Sequence, residues 1–492
     1  MLSRIIGTVA AVSIGAGALG QDAFYDARAI DGRDALSDVR LLQTALERVH
    51  PGYTRFTAKE ELDRGLSGMR RAVRTGTTDE EMYLLVSRFL ERIRCDHTKA
   101  EYPEALSSHR ERTPTHLPVR TRFFGDRLFV HTSGAEGIER GDEILSINGV
   151  PAAQLIAETC ALVPVDGFTD DARAAEGELS SEFDGSGLDH FMPLLHGWSS
   201  SFAFELRGTE GGVRTVESNA LTRDGFERMV ESRGVWATDF ADAVSTRYEG
   251  DTAILRVDTF VNYREPVDAM EKLGRVFGEI NERGVAHLVV DLRRNGGGSD
   301  DAAIALLRHL ISEPIEVASG AAVRALTIPK DVREHAETWD WGALERDRSD
   351  YERWGETGLY IEKSAAPIRV PPADDAFGGR VTVLSSRGNA SGSTMLIATL
   401  QQRAGVRVVG EPTGGSVEGP TAGVIIFVEL PASGVRVRVP CLRTITGLSP
   451  RAPGMGVTPD LIVEPTPEGE FAGRDEVLEA ALDAALDAAP DT

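Results

Sequence analysis

Apolar residues recur at helical spacing through the first fifth of the chain. Leu41, Leu42, Ala45, Leu46 and Val49 mark one helix, and His50, Pro51 and Gly52 end it. A second helix is predicted over Leu62 to Val73. A third spans Asp79 to Ile93, capped by Thr77 or Thr78, with Leu84, Leu85, Phe89 and Leu90 on its apolar face. From about 113 to 235 the period shortens to that of strands. Arg127 to Val130 is one strand. Gly141 to Gly149 reads as a turn, a strand and a tight Asn148-Gly149 turn, and Phe202 to Leu206 with Gly212 to Val216 reads as a hairpin. Asp166 to Asp184, acidic and glycine-containing, reads as a loop.

Beyond about 245, buried strands alternate with helices, the pattern of an α/β layer. The strands are Thr252 to Val257, Ala286 to Leu292, Arg380 to Ser385 and Val406 to Gly410. The helices are Pro266 to Glu282, Asp300 to Ile311 and Ser391 to Arg403. Val424 to Leu430 and Val435 to Val439 form a hairpin. Residues 328–362 interrupt the alternation with Trp339, Trp341, Tyr351, Trp354 and Tyr360 among many charges, and read either as a lid or as a surface helix pair. A last helix, Asp475 to Ala488, carries Val477, Leu478, Ala481, Leu482 and Ala485 on one face.

With 492 residues the chain exceeds one compact core and implies two or three domains. A hydrophobic share of 41% with 26% charged residues is that of a soluble globular protein. The formal net charge of -24 argues against nucleic acid or an anionic membrane as partner. Arg4, the small-residue apolar run from Ile5 to Leu19, and Ala18-Leu19-Gly20 read as a secretory signal over residues 1–20. Export to a periplasmic or extracellular space follows, with no membrane insertion after cleavage. The alternative is an uncleaved anchor helix. Cys95, Cys160 and Cys441 are odd in number, so at least one thiol is free. Neither cysteine spacing nor an HExxH pattern supports a metal, and no cofactor is expected.

Three segments carry candidate chemistry. Ser391, in Asn389-Ala390-Ser391-Gly392-Ser393-Thr394, follows a buried strand and opens a helix. Its hydroxyl there meets unpaired backbone N–H groups, which suits a nucleophile and equally a helix cap. Asn295-Gly296-Gly297-Gly298 also follows a buried strand. It reads as an oxyanion hole, a phosphate loop or a plain turn, without the Lys-Ser/Thr of a P-loop or the GxGxxG of a dinucleotide site. Cys95-Asp96-His97-Thr98 ends a helix, where His97 is either a base or a dipole partner.

Together these segments resemble the tail-specific (carboxy-terminal processing) serine peptidases, a family that includes the tricorn protease core and the repeats of interphotoreceptor retinoid-binding protein. The resemblance runs over residues 35–465. It is carried by Asp291-Leu-Arg-x-Asn295-x-Gly297-Gly298, Ala390-Ser391-x-Ser393, Val409-Gly410-Glu411-Pro412-Thr413-Gly414-Gly415, Gly456-Val457-x-Pro459-Asp460, the Cys95-Asp96-His97-Thr98 motif and His50-Pro51. It implies an α/β, crotonase-like (ClpP/crotonase) core at 236–470. A helical segment at 21–112 carries the histidine, a PDZ-like β-rich insert lies at 113–235, and a C-terminal helix lies at 471–492. It implies a peptidase acting on a peptide or protein substrate. The family's Ser–Lys branch places Lys about 25 residues after the nucleophile. Ser416 stands there, and no Lys follows Lys363. The resemblance is therefore to the tricorn-like Ser–His branch. In that branch Ser391 is the nucleophile, His97 the base, and the N–H groups of Gly297 and Gly392 the oxyanion hole.

Two departures accompany it. The acid that orients the histidine is missing before Gly456, since Arg451 to Met455 contains none, and the residue before His97 is Asp96 rather than Ser. Asp96 or Glu418 are the possible substitutes. The alternatives are a weak or inactive relative binding a peptide or apolar ligand in the same cleft, and a crotonase-type acyl-CoA enzyme.

Overall fold

The structure is a computed structural model that describes residues 24–179, 183, 185–232 and 237–486. The signal assigned to residues 1–20 lies outside the described residues. Three helices open the described chain, Gly32–Val49, Lys59–Ala72 and Asp79–Leu90. Asp31 caps the first by accepting from Arg33 N–H, and Thr78 with Glu81 forms a reciprocal capping box on the third. The apolar faces of the first and third bury Val39, Leu42, Leu46, Val86 and Phe89. They share one core with Ile426, Val428, Val437 and Val439 of the long hairpin Thr421–Glu429 and Arg436–Thr446.

Residues 119–219 form a separate antiparallel sheet in the order Val119–Phe124, Arg127–Ser133, Glu143–Ile147, Ser201–Arg207, Val213–Asn219. The Asn148-Gly149 turn has φ of 50° and 78°, so the positive-φ hairpin turn read from the sequence is present. The helices Ala152–Cys160, Ala172–Leu179 and Gly187–His196 close this sheet. The reading of 166–184 as a loop is therefore corrected. Ala172–Leu179 is helical, and Asp166 and Glu178 are buried acids rather than a solvated acidic run.

The third layer is a six-stranded sheet in the order Leu461–Ile462, Val406–Gly410, Arg380–Ser385, His287–Asp291, Thr252–Val257, Val244–Glu249. All neighbours are parallel except the last pair. The inner strands Thr252–Val257, His287–Asp291 and Arg380–Ser385 are buried on both faces, as expected of a parallel sheet, whereas the edge strand Val244–Glu249 alternates half-buried with exposed residues. Leu255, Leu288, Val290 and Val383 pack on the helices Ala269–Glu282, Asp300–His309 and Ser391–Gln401. The alternate residues Ile254, Val289, Leu384 and Val409 pack on Val477, Leu478 and Ala481 of the C-terminal helix Glu476–Leu486.

The segment 328–362 is not a helix pair. Ala336–Glu337, Tyr351–Arg353 and Tyr360–Glu362 join a seven-stranded sheet built on the long hairpin, and only Lys330–Arg333 is α-helical. Its aromatic residues suit strand edges as well as a helix face, so periodicity alone did not separate the two.

Arg293 locks the C-terminal helix to the end of the parallel sheet. Its guanidinium donates to both oxygens of Asp291 (2.9 and 2.8 Å) and both of Asp475 (2.6 and 2.8 Å). Burial pushes both carboxyls up, but the hydrogen bonds and charge of Arg293 outweigh it and hold them below the usual carboxylate range. A depressed folded pKa stabilises above the ordinary value of about 3.9 and stops doing so as pH falls through the folded value. Arg293→Met is therefore expected to lower stability at pH 7, with a deficit that shrinks below about pH 4. Urea denaturation of both forms at pH 7 and pH 3.5 checks this.

Candidate functional site

Both glycine- and serine-bearing loops leave the C-terminal ends of adjacent parallel strands, where open α/β sheets bind ligands. The buried side chain of Asn389 ties them together. Its Nδ2 donates to the carbonyls of Leu292 (2.6 Å) and Asn295 (3.0 Å), and its Oδ1 accepts from Ser386 N–H (2.7 Å). Asn389 also holds Ser393, donating to its Oγ at 3.1 Å. Ser393 is fully buried, whereas Ser391 is partly exposed, and this separates the two serines of the motif.

Ser391 has φ of +48°, a left-handed conformation costing roughly 1–2 kcal/mol for a residue with a Cβ. It is not the helix cap. Ala390 holds that position with no side-chain cap, and the Ser391 hydroxyl has no hydrogen-bond partner among the described residues. Strain together with an unbonded hydroxyl at a helix start sets Ser391 apart from an ordinary helix cap.

The N–H groups around Ser391 decide where an anion is held. Those of Ser393 and Thr394 both go to Ala390 O (3.0 and 3.3 Å), while that of Gly392 stays open. The Gly297 N–H donates to Asn295 Oδ1 at 2.9 Å, so the expectation that Gly297 supplies an oxyanion donor is corrected. Gly297 serves by lacking a Cβ. At φ +108° that atom would lie 2.9 Å from Ser391 Cβ. Gly298 carries an open N–H on this loop, and its N lies 3.9 Å from where a Cβ of Gly392 would stand. Gly392 and Gly298 thus offer two open N–H groups beside one hydroxyl. A Cβ on Gly298 (φ +138°) would meet Phe260 C at 2.3 Å and Val261 N at 2.4 Å, forcing the loop to move. Gly298→Ala is expected to lower kcat by about 10²–10³-fold while the protein stays folded, read from peptide hydrolysis alongside a thermal melt.

His97 lies on the loop that follows the third helix. Three contacts brace this loop. His50 Nδ1 accepts from Gly52 N–H (3.0 Å), so its ring proton is on Nε2 and donates to Thr98 Oγ1 (2.7 Å). Burial drives the pKa of His50 down to about 3, which keeps that ring neutral. The Cys95 thiol donates to Thr421 O at 3.5 Å. Asp96 N–H donates to Asp166 Oδ1 at 2.9 Å.

From Asp166 a relay of contacts leads back to the serine loop. Thr169 Oγ1 approaches both Asp166 O (2.8 Å) and Gly414 O (2.6 Å), and Gly415 N–H donates to Asn389 O (2.8 Å). His97, Gly298 and Ser391 line one cleft of about 1960 Å³, together with Arg294, Ile425 and Trp339. No hydrogen bond joins His97 to Ser391 in this structure.

Neither residue considered for orienting His97 does so here. The Asp96 carboxylate turns to Lys99 (3.0 Å), which also lies 3.4 Å from Glu176. The Glu418 carboxylate accepts from Gly454 N–H (3.0 Å) and faces Arg55 (3.8 Å). Both charges are satisfied locally, so neither is drawn to the imidazole. Asp166 carried only a weak signal in the sequence, one acid after the apolar run Leu162 to Val165. All three cysteines are free thiols. Among the described residues no cluster of three or more His, Cys, Asp or Glu could hold a metal ion, and no helix is long and apolar enough to cross a membrane.

Residues 251–463, which span the parallel sheet and both loops, match the model of peptidase family S41. Over these residues the chain is similar to the serine-type peptidases of that family. Among solved structures it is similar to mature CPAF complexed with lactacystin, with 15% identity, a TM-score of 0.60, and coverage of 92% of this chain and 97% of that one. Mature CPAF alone gives 15% identity, a TM-score of 0.59 and coverage of 92% and 96%. At this identity the likeness is one of fold. A looser match, with 16% identity, a TM-score of 0.42 and coverage of 89% and 93%, is the photosystem II D1 C-terminal processing protease. No curated protein matches the chain in sequence.

Proposed function

We propose that the chain is an exported peptidase in which Ser391 attacks the scissile carbonyl, His97 accepts its proton, and an acyl-enzyme forms and is hydrolysed. The observation that carries this reading is the strained, unbonded Ser391 hydroxyl flanked by the open N–H groups of Gly298 and Gly392, in the same cleft as His97. Oγ attack on a carbonyl builds negative charge on oxygen, and the two N–H groups stabilise it without reorganising. His97 then returns the proton to the leaving amine. A Ser–Lys mechanism has no residue to run on, because Lys99 is held by Asp96 and Glu176 and no lysine follows Lys363.

The 236–470 region corresponds to a crotonase-like core and 113–235 to a PDZ-like insert that helps form the cleft wall through Arg122 and Glu178. The substrate is a peptide or protein segment. Trp339, 62% exposed and lining the cleft, offers it an apolar contact. The unmade His97–Ser391 bond favours a second reading, a catalytically silent peptide binder on the same fold. A fluorophosphonate probe separates the two. Stoichiometric labelling of Ser391 supports the peptidase, and binding of peptide without labelling or turnover supports the silent relative.

A further inference from the structure

We infer that Asp166, contributed by the insert rather than by the peptidase core, is the positioning carboxylate for His97. This rests on the peptidase reading of the site and deepens it. Asp166 is 4% exposed, and its Oδ1 is fixed by the amide of Asp96, the residue immediately before His97. Its other oxygen, Oδ2, is buried with no hydrogen-bond partner, and so is Nδ1 of His97.

Leaving one buried polar atom unpaired costs about 1–3 kcal/mol. Two in neighbouring residues, one acceptor and one potential donor, are complementary halves of a single bond. The relay through Thr169 and Gly414 keeps the Asp166 loop packed against the serine loop, so a small movement of the 95–98 loop on substrate binding can join the two atoms. Burial drives the Asp166 carboxyl toward its neutral form, and the His97 imidazole is the largest influence that opposes this.

The chemistry balances without a co-reactant. With Oδ2 accepting the Nδ1 proton, the free lone pair of His97 is on Nε2 and faces the cleft. Nε2 takes the Ser391 Oγ proton as Oγ bonds to the carbonyl carbon. Asp166 remains an anion beside the imidazolium and gives the proton back no route to itself. The groups around the pair are Cys95, Asp96 and Lys99 on the His97 loop, His50 at the end of the first helix, Arg94 and Arg55, and Glu418 beyond Arg55. Lys99 pairs with Asp96 and Arg55 reaches the carbonyls of Glu418 and Gly419. Asp96 Oδ1 is also buried without a hydrogen bond but is ion-paired to Lys99, and Glu418 faces Arg55, so among the described residues of this group Asp166 is the acid with no ion pair to Lys or Arg.

The test compares fluorophosphonate labelling and peptide hydrolysis in wild type, Asp166→Asn and Asp166→Glu, with thermal melts. Asp166→Asn keeps an acceptor for Asp96 N–H and removes the charge. The expected result is a fall in kcat of about 10²–10⁴-fold at little change in KM, an acid limb of kcat/KM displaced to lower pH, and partial recovery in Asp166→Glu. Wild-type rates and an unmoved acid limb in a folded Asp166→Asn overturn the inference and leave the peptidase reading intact. Failure of wild type itself to label overturns both. If Asp166→Asn does not fold, ¹⁵N NMR of histidine-labelled wild type with inhibitor bound decides. A His97 ring protonated at Nδ1 and hydrogen-bonded to a carboxylate supports the assignment, and a proton absent from Nδ1 contradicts it.

Discussion

Ser391→Ala is expected to abolish fluorophosphonate labelling and to reduce peptide hydrolysis by about 10⁴–10⁶-fold, with the fold unchanged. The size follows from Ser391 being the proposed nucleophile. Ser393, two residues on, is buried and bonded to Asn389, so it cannot take over. The stability side of the experiment is equally specific. Ser391 sits at φ +48° with no bond from its hydroxyl, so Ala at this position keeps the strain and loses no contact. Ser391→Gly removes the strain and is expected to raise stability by about 1 kcal/mol while being just as inactive. A serine that merely capped its helix would give the opposite pattern, destabilisation by about 0.5–2 kcal/mol on change to Ala. Urea melts of the two variants beside their turnover distinguish these outcomes.

His97→Ala is expected to cost about 10⁴–10⁶-fold in kcat/KM, with a thermal midpoint at or above that of wild type. The residue pays for no visible structural bond. Its Nδ1 is buried without a partner, and the bracing of its loop runs through His50, Thr98, Cys95 and the Asp96 amide instead. Residual turnover in His97→Ala should also lack the acid limb of the wild-type pH profile. An unchanged rate, or a collapse of stability matching the loss of rate, would remove His97 from the chemistry.

The parts of this arrangement that sequence reading recovered are those governed by local rules. The strand bounds Thr252–Val257, Arg380–Ser385 and Val406–Gly410 follow from short apolar runs closed by turn residues. The first helix follows from its apolar period and the third from its period and its Thr78 cap, while the second, Lys59–Ala72, starts three residues before the predicted Leu62 and has no side-chain cap. Glycines that cannot bear a Cβ were legible as motif positions, although not in their individual roles. Gly414 and Gly456 press against the carbonyls of Arg387 and Thr413, and Gly297 presses against Ser391.

Long-range matters stayed hidden. Whether Gly297 or Gly298 keeps an open N–H depends on the Asn295 side chain, which spacing does not reveal. Asp96 adjoins His97 in sequence yet turns to Lys99. Asp166 lies 69 positions away in sequence and reaches the same loop through an insert whose helix Ala172–Leu179 was read as coil. Residues 328–362 mix aromatics and charges with no dominant period, so their membership of the seven-stranded sheet was set by the hairpin they join.

The most direct test is a crystal structure of the full chain after reaction with a peptidyl fluorophosphonate. The expected adduct is bonded to Ser391 Oγ, with its phosphoryl oxygen about 2.7–3.1 Å from the N–H groups of Gly298 and Gly392 and His97 Nε2 within hydrogen-bonding distance of the Ser391 oxygen. Phosphorus on any other residue, or a His97 ring still apart from Ser391 in the adduct, would contradict the account.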